Sequence, residues 1–382
     1  MPQLTAETFP DILTHVRTLD YQTPFFFTSK NALKANYDAF VHSFRSSEVY
    51  YALKANSDPQ ILKYLASLGS GFEAASAYEI DLLLRLGVKP QKIIYGTSVK
   101  PSGHIIFARK AGIDRFAADS KEEVEKIATH APGSRVFIRA IVDDTGSVFT
   151  MSERFGISIG SVKHLMLYAK SLGLHTYGLS FYVGSQATHA DRWAKAIHML
   201  QPVVNELLGE GIKLSVLNIG GGFPVNYDNH KSAPSLHQIV DSVHRAMDSL
   251  PYEPIVIMEP GRGIVASSTV LVTEVVARND RAGKPWLVLD AGIYNALYEA
   301  MIHQGATQYT VHPLHPPTGK VETMECTLAG PTGDSLDIIS RHAVLPSYIG
   351  VGDKLVFENA GAYTVTMASP FNGFPKPELF MS

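Results

Sequence analysis

Lys54 sits in the run Tyr50-Tyr51-Ala52-Leu53-Lys54-Ala55-Asn56, an aromatic, β-prone stretch that ends in small and polar residues suited to starting a helix. Most lysines at such a place snorkel to the surface. The alternative is a Schiff-base lysine, because an amine's pKa responds readily to burial. Three other stretches bear on the choice. Gly220-Gly221-Gly222-Phe223-Pro224 lets backbone amides approach a phosphate closely, and no Lys-Ser/Thr follows to make it a nucleotide loop. Glu259-Pro260-Gly261-Arg262 offers a carboxylate, a glycine amide and a guanidinium, and Val183-Gly184-Ser185-Gln186 sets a hydroxyl beside a glycine. Taken singly, each reads as a turn. Together they meet the needs of one group, pyridoxal 5'-phosphate: an amine to hold its aldehyde carbon as an imine, a phosphate cup, and an acid for its ring nitrogen.

Such a constellation needs a scaffold that brings distant stretches to one rim. From residue 49 onward, short apolar runs alternate with helical periodicity, and strands are expected at 49–55, 71–76, 92–98, 115–120, 135–141, 176–184, 215–222 and 254–262. Helices are expected between them, as at 58–68 and 77–86, with Gly69 and Gly87 just beyond their ends. Eight βα units predict a closed parallel barrel with its chemistry at the C-terminal strand ends, which is where Lys54, Ser185, the glycine triplet and Glu259 fall. A doubly wound open sheet is the alternative, and the dinucleotide motif it would carry is absent. Past Arg262 the rhythm changes to strands at 269–277, 286–290, 322–329 and 354–359, which predicts an all-β domain that residues 24–28 join. The expected division is a barrel over 30–266 and a β-domain built from 1–29 and 267–382. The long polar loop 142–160 is expected to be mobile.

With 33 Lys and Arg against 36 Asp and Glu, the chain carries no electrostatic footprint for nucleic acid or an anionic membrane. Cys326 is the one cysteine, which excludes an internal disulfide and a thiolate metal cluster and fits a reducing, cytoplasmic setting. The opening residues have no basic segment ahead of an apolar one, so no signal peptide is expected, and no apolar run reaches membrane-spanning length. His312 and His315 stand among prolines and read as loop, so no metal site is expected.

Beyond these residues, the motifs YYALKAN (50–56), GFEAAS (71–76), SFYVGSQ (180–186), GGGFP (220–224), EPGR (259–262), GPTGDSLD (330–337), ENAGAYT (358–364) and FNGF (371–374) follow one another over nearly the whole chain. In order and spacing they resemble the fold-type III ornithine, diaminopimelate and arginine decarboxylases, bacterial ornithine decarboxylases most of all. The resemblance implies an α/β fold of the alanine racemase and ornithine decarboxylase type, a TIM-like (β/α)8 barrel plus a C-terminal all-β domain. It also implies pyridoxal phosphate, loss of CO2 from an amino acid, and a place in polyamine biosynthesis. Carried over residue by residue, it makes Lys54 the Schiff-base lysine and Glu259 the partner of the pyridine nitrogen. Ser185, Gly220, Gly221, Gly222, Gly261, Arg262 and Tyr363 would hold the phosphate, with Glu73, Arg139 and Tyr182 near the cofactor. Tyr294, Asp334, Phe371 and Asn372 would line the substrate site, the Asp334 segment being lent by the partner in a head-to-tail homodimer with shared active sites.

Three positions depart from the family. Gly333 stands where the family has the cysteine that reprotonates Cα, and Cys326, seven residues upstream, reads as a packed cysteine. Tyr182 replaces the histidine that stacks on the cofactor, a role tyrosine can fill. Ile302 and His303 stand where ornithine decarboxylases carry an acid for the distal ammonium; Asp334 and Asp337 remain, and His303 would suit an acidic or citryl-type end. The expected function is α-decarboxylation of an ornithine- or lysine-like amino acid or a citryl-amino acid. A second reading is a decarboxylation-dependent transaminase giving a carbonyl product. A third is a non-catalytic relative of the antizyme-inhibitor kind, which the retention of Lys54, Glu259 and the phosphate cup counts against. Glu259 also argues against racemisation, since racemases of this barrel resemble the family with arginine at the ring nitrogen.

Overall fold

In the computed structural model, which describes residues 8–44, 46–151, 153–227, 233–302 and 307–382, the chain begins with helix α1 (Phe9–Val16), strand β1 (Phe25–Thr28) and helix α2 (Lys30–Val41). Alternation then sets in. β2 (Ser47–Ala52), α3 (Pro59–Ser67), β3 (Gly71–Ala74), α4 (Ala77–Arg85), β4 (Ile93–Tyr95), α5 (Ser102–Lys110), β5 (Arg115–Ala118), α6 (Lys121–His130) and β6 (Arg135–Arg139) make its first half. The second half holds β7 (Ser147–Phe149), α7 (Ile159–Ser171), β8 (His175–Ser180), β9 (Ser185–Ala187), α8 (Arg192–Gly209), β10 (Val216–Asn218), α9 (Leu236–Met247), β11 (Ile255–Met258) and the short α10 (Arg262–Val265). Ser76 and Ser120 cap α4 and α6 by accepting the amides of Glu79 and Glu123, three residues on in each case.

Eight of these strands close into a parallel barrel in the order β10-β11-β2-β3-β4-β5-β6-β8, sealed where Val216–Asn218 pairs with Gly178–Ser180. The expected closed barrel is therefore present. All eight strands stop short of the expected ends; for β10 and β11 the reason is that Gly220 and Gly222 have φ of +67° and +91° and that Pro260 has no N–H to give a ladder. Each curtailed tail becomes rim. Below the rim, Tyr50, Ile94, Phe137, Val216 and Ile257 pack together as a plug inside the barrel. Strand side chains alternate faces, so the next inward positions are two residues on: Ala52, Arg139, Asn218 and Glu259, with Glu73 reaching the same layer from Gly71 beside Tyr50.

After the barrel come β12 (Thr269–Arg281), β13 (Lys284–Leu289), β14 (Val311–Pro313), β15 (Thr323–Ala329), β16 (Ile338–Pro346), β17 (Lys354–Phe357) and β18 (Glu378–Met381). With β1 they form one eight-stranded sheet, ordered β14-β17-β12-β13-β15-β16, in which β1 pairs antiparallel to β12 and parallel to β18. The sheet-rich second domain is as expected, and four of its members are not. β14, β16 and β18 read as loop because of their prolines or exposed polar residues, and α1 has only two buried residues, Ile12 and Val16, to signal a core face. Within the loop expected to be mobile, β7 pairs with β9, Arg192 meets Asp143 at 3.1 Å, and the amide of Gly156 reaches Asp119 at 2.8 Å. Among the described residues, no helix is long and apolar enough to cross a membrane, and no group of three or more potential metal ligands occurs.

Candidate active site

Lys54 lies in a 3-10 turn, Leu53–Ala55, directly above the plug. Its tip stands open in the barrel mouth while protein surrounds it on the other sides. Burial works against the ammonium, but Glu73, Tyr363, Tyr182 and Glu259 outweigh it and hold the pKa above the ordinary lysine value. The Nζ stands 5.8 Å from the centroid of the Tyr182 ring, and the Arg139 guanidinium 5.7 Å from it. Glu259 is pushed up to about 7, chiefly by burial and next by the charge of Glu73; a hydrogen bond from Asn218 Nδ2 at 2.6 Å, Lys54 and Arg139 pull the other way. A buried carboxyl beside a second one is an environment in which a protonated ring nitrogen would be held.

The lysine turn is fixed from above by the segment after β17. Tyr363, at a φ of +56°, donates its amide to the Ala55 carbonyl at 2.7 Å, and Thr366 Oγ1 donates to the Lys54 carbonyl at 3.2 Å. Asn56, fully buried, donates Nδ2 to the Gly361 carbonyl at 2.9 Å and accepts the Asp58 amide at 3.0 Å. Gly361 must be glycine, since a Cβ there would lie 1.9 Å from the Val265 carbonyl oxygen.

Beside this turn, the rims after β8, β10 and β11 converge. A Cβ on Gly221 would lie 2.6 Å from the Glu259 carbonyl oxygen, one on Gly222 2.3 Å from that of Gly184, and one on Gly261 2.8 Å from the Ala55 side chain. Gly220, with Phe181 and Tyr182 against it, is as tightly placed. Gln186 locks the loop in a two-bond clamp on Val225, at 2.8 and 2.7 Å, and carries buried Ser185 next to it. Among the described residues, the amides of Gly221, Gly222 and Gly261 donate no hydrogen bond. Unpaired amides in a cradle that only glycine can line fit a phosphate. The residues present thus fit pyridoxal phosphate: Lys54 for its aldehyde carbon, Glu259 for its nitrogen, the glycine rim for its phosphate.

Arg262, expected at the phosphate, already has protein partners on its outer end. Its Nη1 and Nη2 grip Glu299 at 2.6 and 2.7 Å, and Nη1 also donates to Tyr227 at 2.8 Å. Sequence reasoning missed Glu299 entirely. It also missed Asn218, whose inward position the strand alternation signals, and Glu79, in the first turn of α4. Glu79 accepts the Ala75 amide at 2.6 Å and is pushed up to about 7 by burial, with Glu73 adding to the rise.

Tyr294, Asp334, Phe371, Asn372 and Gly333 form a second group on the β-domain. Tyr294 donates to Asp334 at 3.0 Å and its ring lies 4.4 Å from that of Phe371; a Cβ on Gly333 would lie 3.7 Å from Asn372 Nδ2. Among the described residues, no hydrogen bond, ion pair or ring contact joins these side chains to the Lys54 group. Asp337, counted above as a second acid for substrate, is buried and spent on the amides of Ile293 and Thr332 and the Thr332 hydroxyl. His303 lies outside the described residues. Cys326 is buried in β15 with its thiol pushed up to about 11 by burial.

Residues 30–266 match the family model for the pyridoxal binding domain of pyridoxal-dependent decarboxylases. The chain is 33% identical to a lysine/ornithine decarboxylase of Selenomonas ruminantium over 352 residues, 92% of this chain and 88% of that one. It is 31% identical to antizyme inhibitor 2 of Xenopus laevis over 386 residues, 97% of this chain and 83% of that one. A solved variant of SrLDC in complex with PLP superposes with a TM-score of 0.89 at 30% identity, covering 98% of this chain and 95% of that one. With Lys54, Glu259 and the glycine cradle at the mouth of such a barrel, the chain belongs to the pyridoxal-dependent decarboxylases, carboxy-lyases that work on amino acids with pyridoxal 5'-phosphate.

Proposed function

We propose that the chain removes the α-carboxylate of an L-amino acid with a polar distal group, ornithine- or lysine-like or a citryl-amino acid, and releases the amine. The observation that carries this reading is the meeting of Lys54, Glu259 and the unpaired glycine amides at one rim. When bound, the cofactor supplies the electron sink for the pair left behind as CO2 departs. Lys54 anchors the aldehyde carbon once it has given up its proton. Glu259 keeps a proton on the ring nitrogen, Tyr182 covers a face of the ring, and the cradle with Ser185 and Tyr363 holds the phosphate. Asp334 and Tyr294 meet the distal end of the substrate from a second copy of the chain, paired head to tail. Two features support that pairing: the two groups are unjoined within one chain, and Leu336, beside Asp334, is 60% exposed.

Gly333 favours a second reading. With no thiol there, the chain would be a decarboxylation-dependent transaminase, whose overall reaction consumes one water and gives CO2, a carbonyl compound and aminated cofactor. One experiment separates the readings. The purified protein should absorb visible light as an imine, and Lys54→Ala should abolish that band. Incubation with ornithine, lysine, diaminopimelate and citryl-amino acids, followed by mass spectrometry, should give an amine. A carbonyl product with accumulating pyridoxamine phosphate would replace the first reading with the second. A protein without the band, like an antizyme inhibitor in function, would overturn both.

A further inference from the structure

Arg262 and Glu299 are each 4% exposed and pair in a two-bond fork, 2.6 and 2.7 Å, between the barrel and the β-domain segment that follows β13. The guanidinium is also walled by rings, with the Tyr363 centroid 4.7 Å and the Tyr227 centroid 5.4 Å from its carbon. A guanidinium has five N–H groups in one plane. Glu299 takes one from each Nη, and the Tyr227 hydroxyl takes the other from Nη1. What remains is a single edge, the Nε–H and the second N–H of Nη2, and Nε is buried with no acceptor among the described residues. Two parallel donors on one edge are the arrangement that recognises two oxygens of a phosphate. Arg262 follows Gly261, whose amide is unpaired, and stacks on Tyr363, whose amide holds the lysine turn through the Ala55 carbonyl.

We propose that Glu299 is a positioning residue for phosphate recognition: by occupying the outer fork of Arg262, it leaves the Nε–Nη2 edge as the donor pair for the cofactor's phosphate. Tyr227 secures the same orientation from the Cδ side. The inference rests on the reading that the glycine cradle holds that phosphate. A mere inter-domain ion pair would give stability without favouring a phosphorylated ligand over its unphosphorylated form.

The test compares pyridoxal phosphate with pyridoxal, which lacks the phosphate, by spectroscopic titration of the cofactor-stripped protein. The parent should bind pyridoxal phosphate far more tightly than pyridoxal. Glu299→Gln should cut that preference by about tenfold or more, leave pyridoxal affinity within about threefold, and shift the phosphorus NMR line of bound pyridoxal phosphate. Tyr227→Phe, which removes one contact and keeps the ion pair, should cut the preference by about threefold. An unchanged or larger preference in Glu299→Gln, or equal losses for both ligands, overturns the proposal. Should Glu299→Gln fail to fold, an unchanged preference in Tyr227→Phe overturns it. A parent with no preference would instead sink the phosphate-cradle reading itself.

Discussion

Glu259 is the residue whose chemistry is most exposed to a solution measurement. Its pKa is raised in the folded protein to about 7, so folding favours its protonated form. The resulting stability is present at low pH and is lost as pH rises through about 7; Glu79, raised alike, adds the same sign. Cofactor-free protein should therefore lose on the order of 1–3 kcal/mol of stability between about pH 5 and 7. In Glu259→Gln the slope should become shallower without vanishing, because Glu79 still titrates. Urea-unfolding midpoints across that range check this, and an unaltered slope in Glu259→Gln would place the titration elsewhere. Loading with pyridoxal phosphate should flatten the parent's curve too, since a ring-nitrogen proton gives the carboxylate a partner.

At the scale of elements, the lysine turn is a joint between two domains rather than a free strand end. Asn56 is its pin, bonded to Gly361 and Asp58 and fully buried. Asn56→Ala leaves the Gly361 carbonyl without its donor and should cost about 2–3 kcal/mol. The thermal midpoint should fall by several degrees, and dialysis should strip cofactor faster than from the parent. A lower midpoint with an unchanged rate of cofactor loss would make Asn56 a stabiliser alone. The barrel was legible in the sequence because short apolar runs alternate with helical periodicity, a local signal. Lys54, Glu259 and the glycine triplet were legible because strand ends are where barrel chemistry gathers. Glu299 was not, since its meaning depends on a partner 37 residues away that only the fold brings near. β16 and β18 were equally hidden, because pairing across a sheet rewards residues that look like loop in isolation.

At the scale of the molecule, the Lys54 group and the Asp334 group stand on one chain without touching, which makes a testable demand on assembly. If each working site takes Lys54 from one copy and Asp334 from another, Lys54→Ala and Asp334→Ala proteins should each be nearly inactive. Mixed and re-equilibrated in equal amounts, they should regain about a quarter of the parent's activity, because half of randomly formed pairs contain one intact site. No recovery, with mixed pairs verified by mass spectrometry, would place both groups within one chain's site. The architecture also sets an order of events on the ribosome. β1 begins with Phe25-Phe26-Phe27, and its last residue, Thr28, meets Thr269, 241 residues further on. Its other neighbour, Glu378–Met381, emerges later still. All eight barrel strands have been synthesised by Met258, so a finished barrel can trail a sticky, unpaired strand while translation continues. A holdase chaperone would find its natural target there.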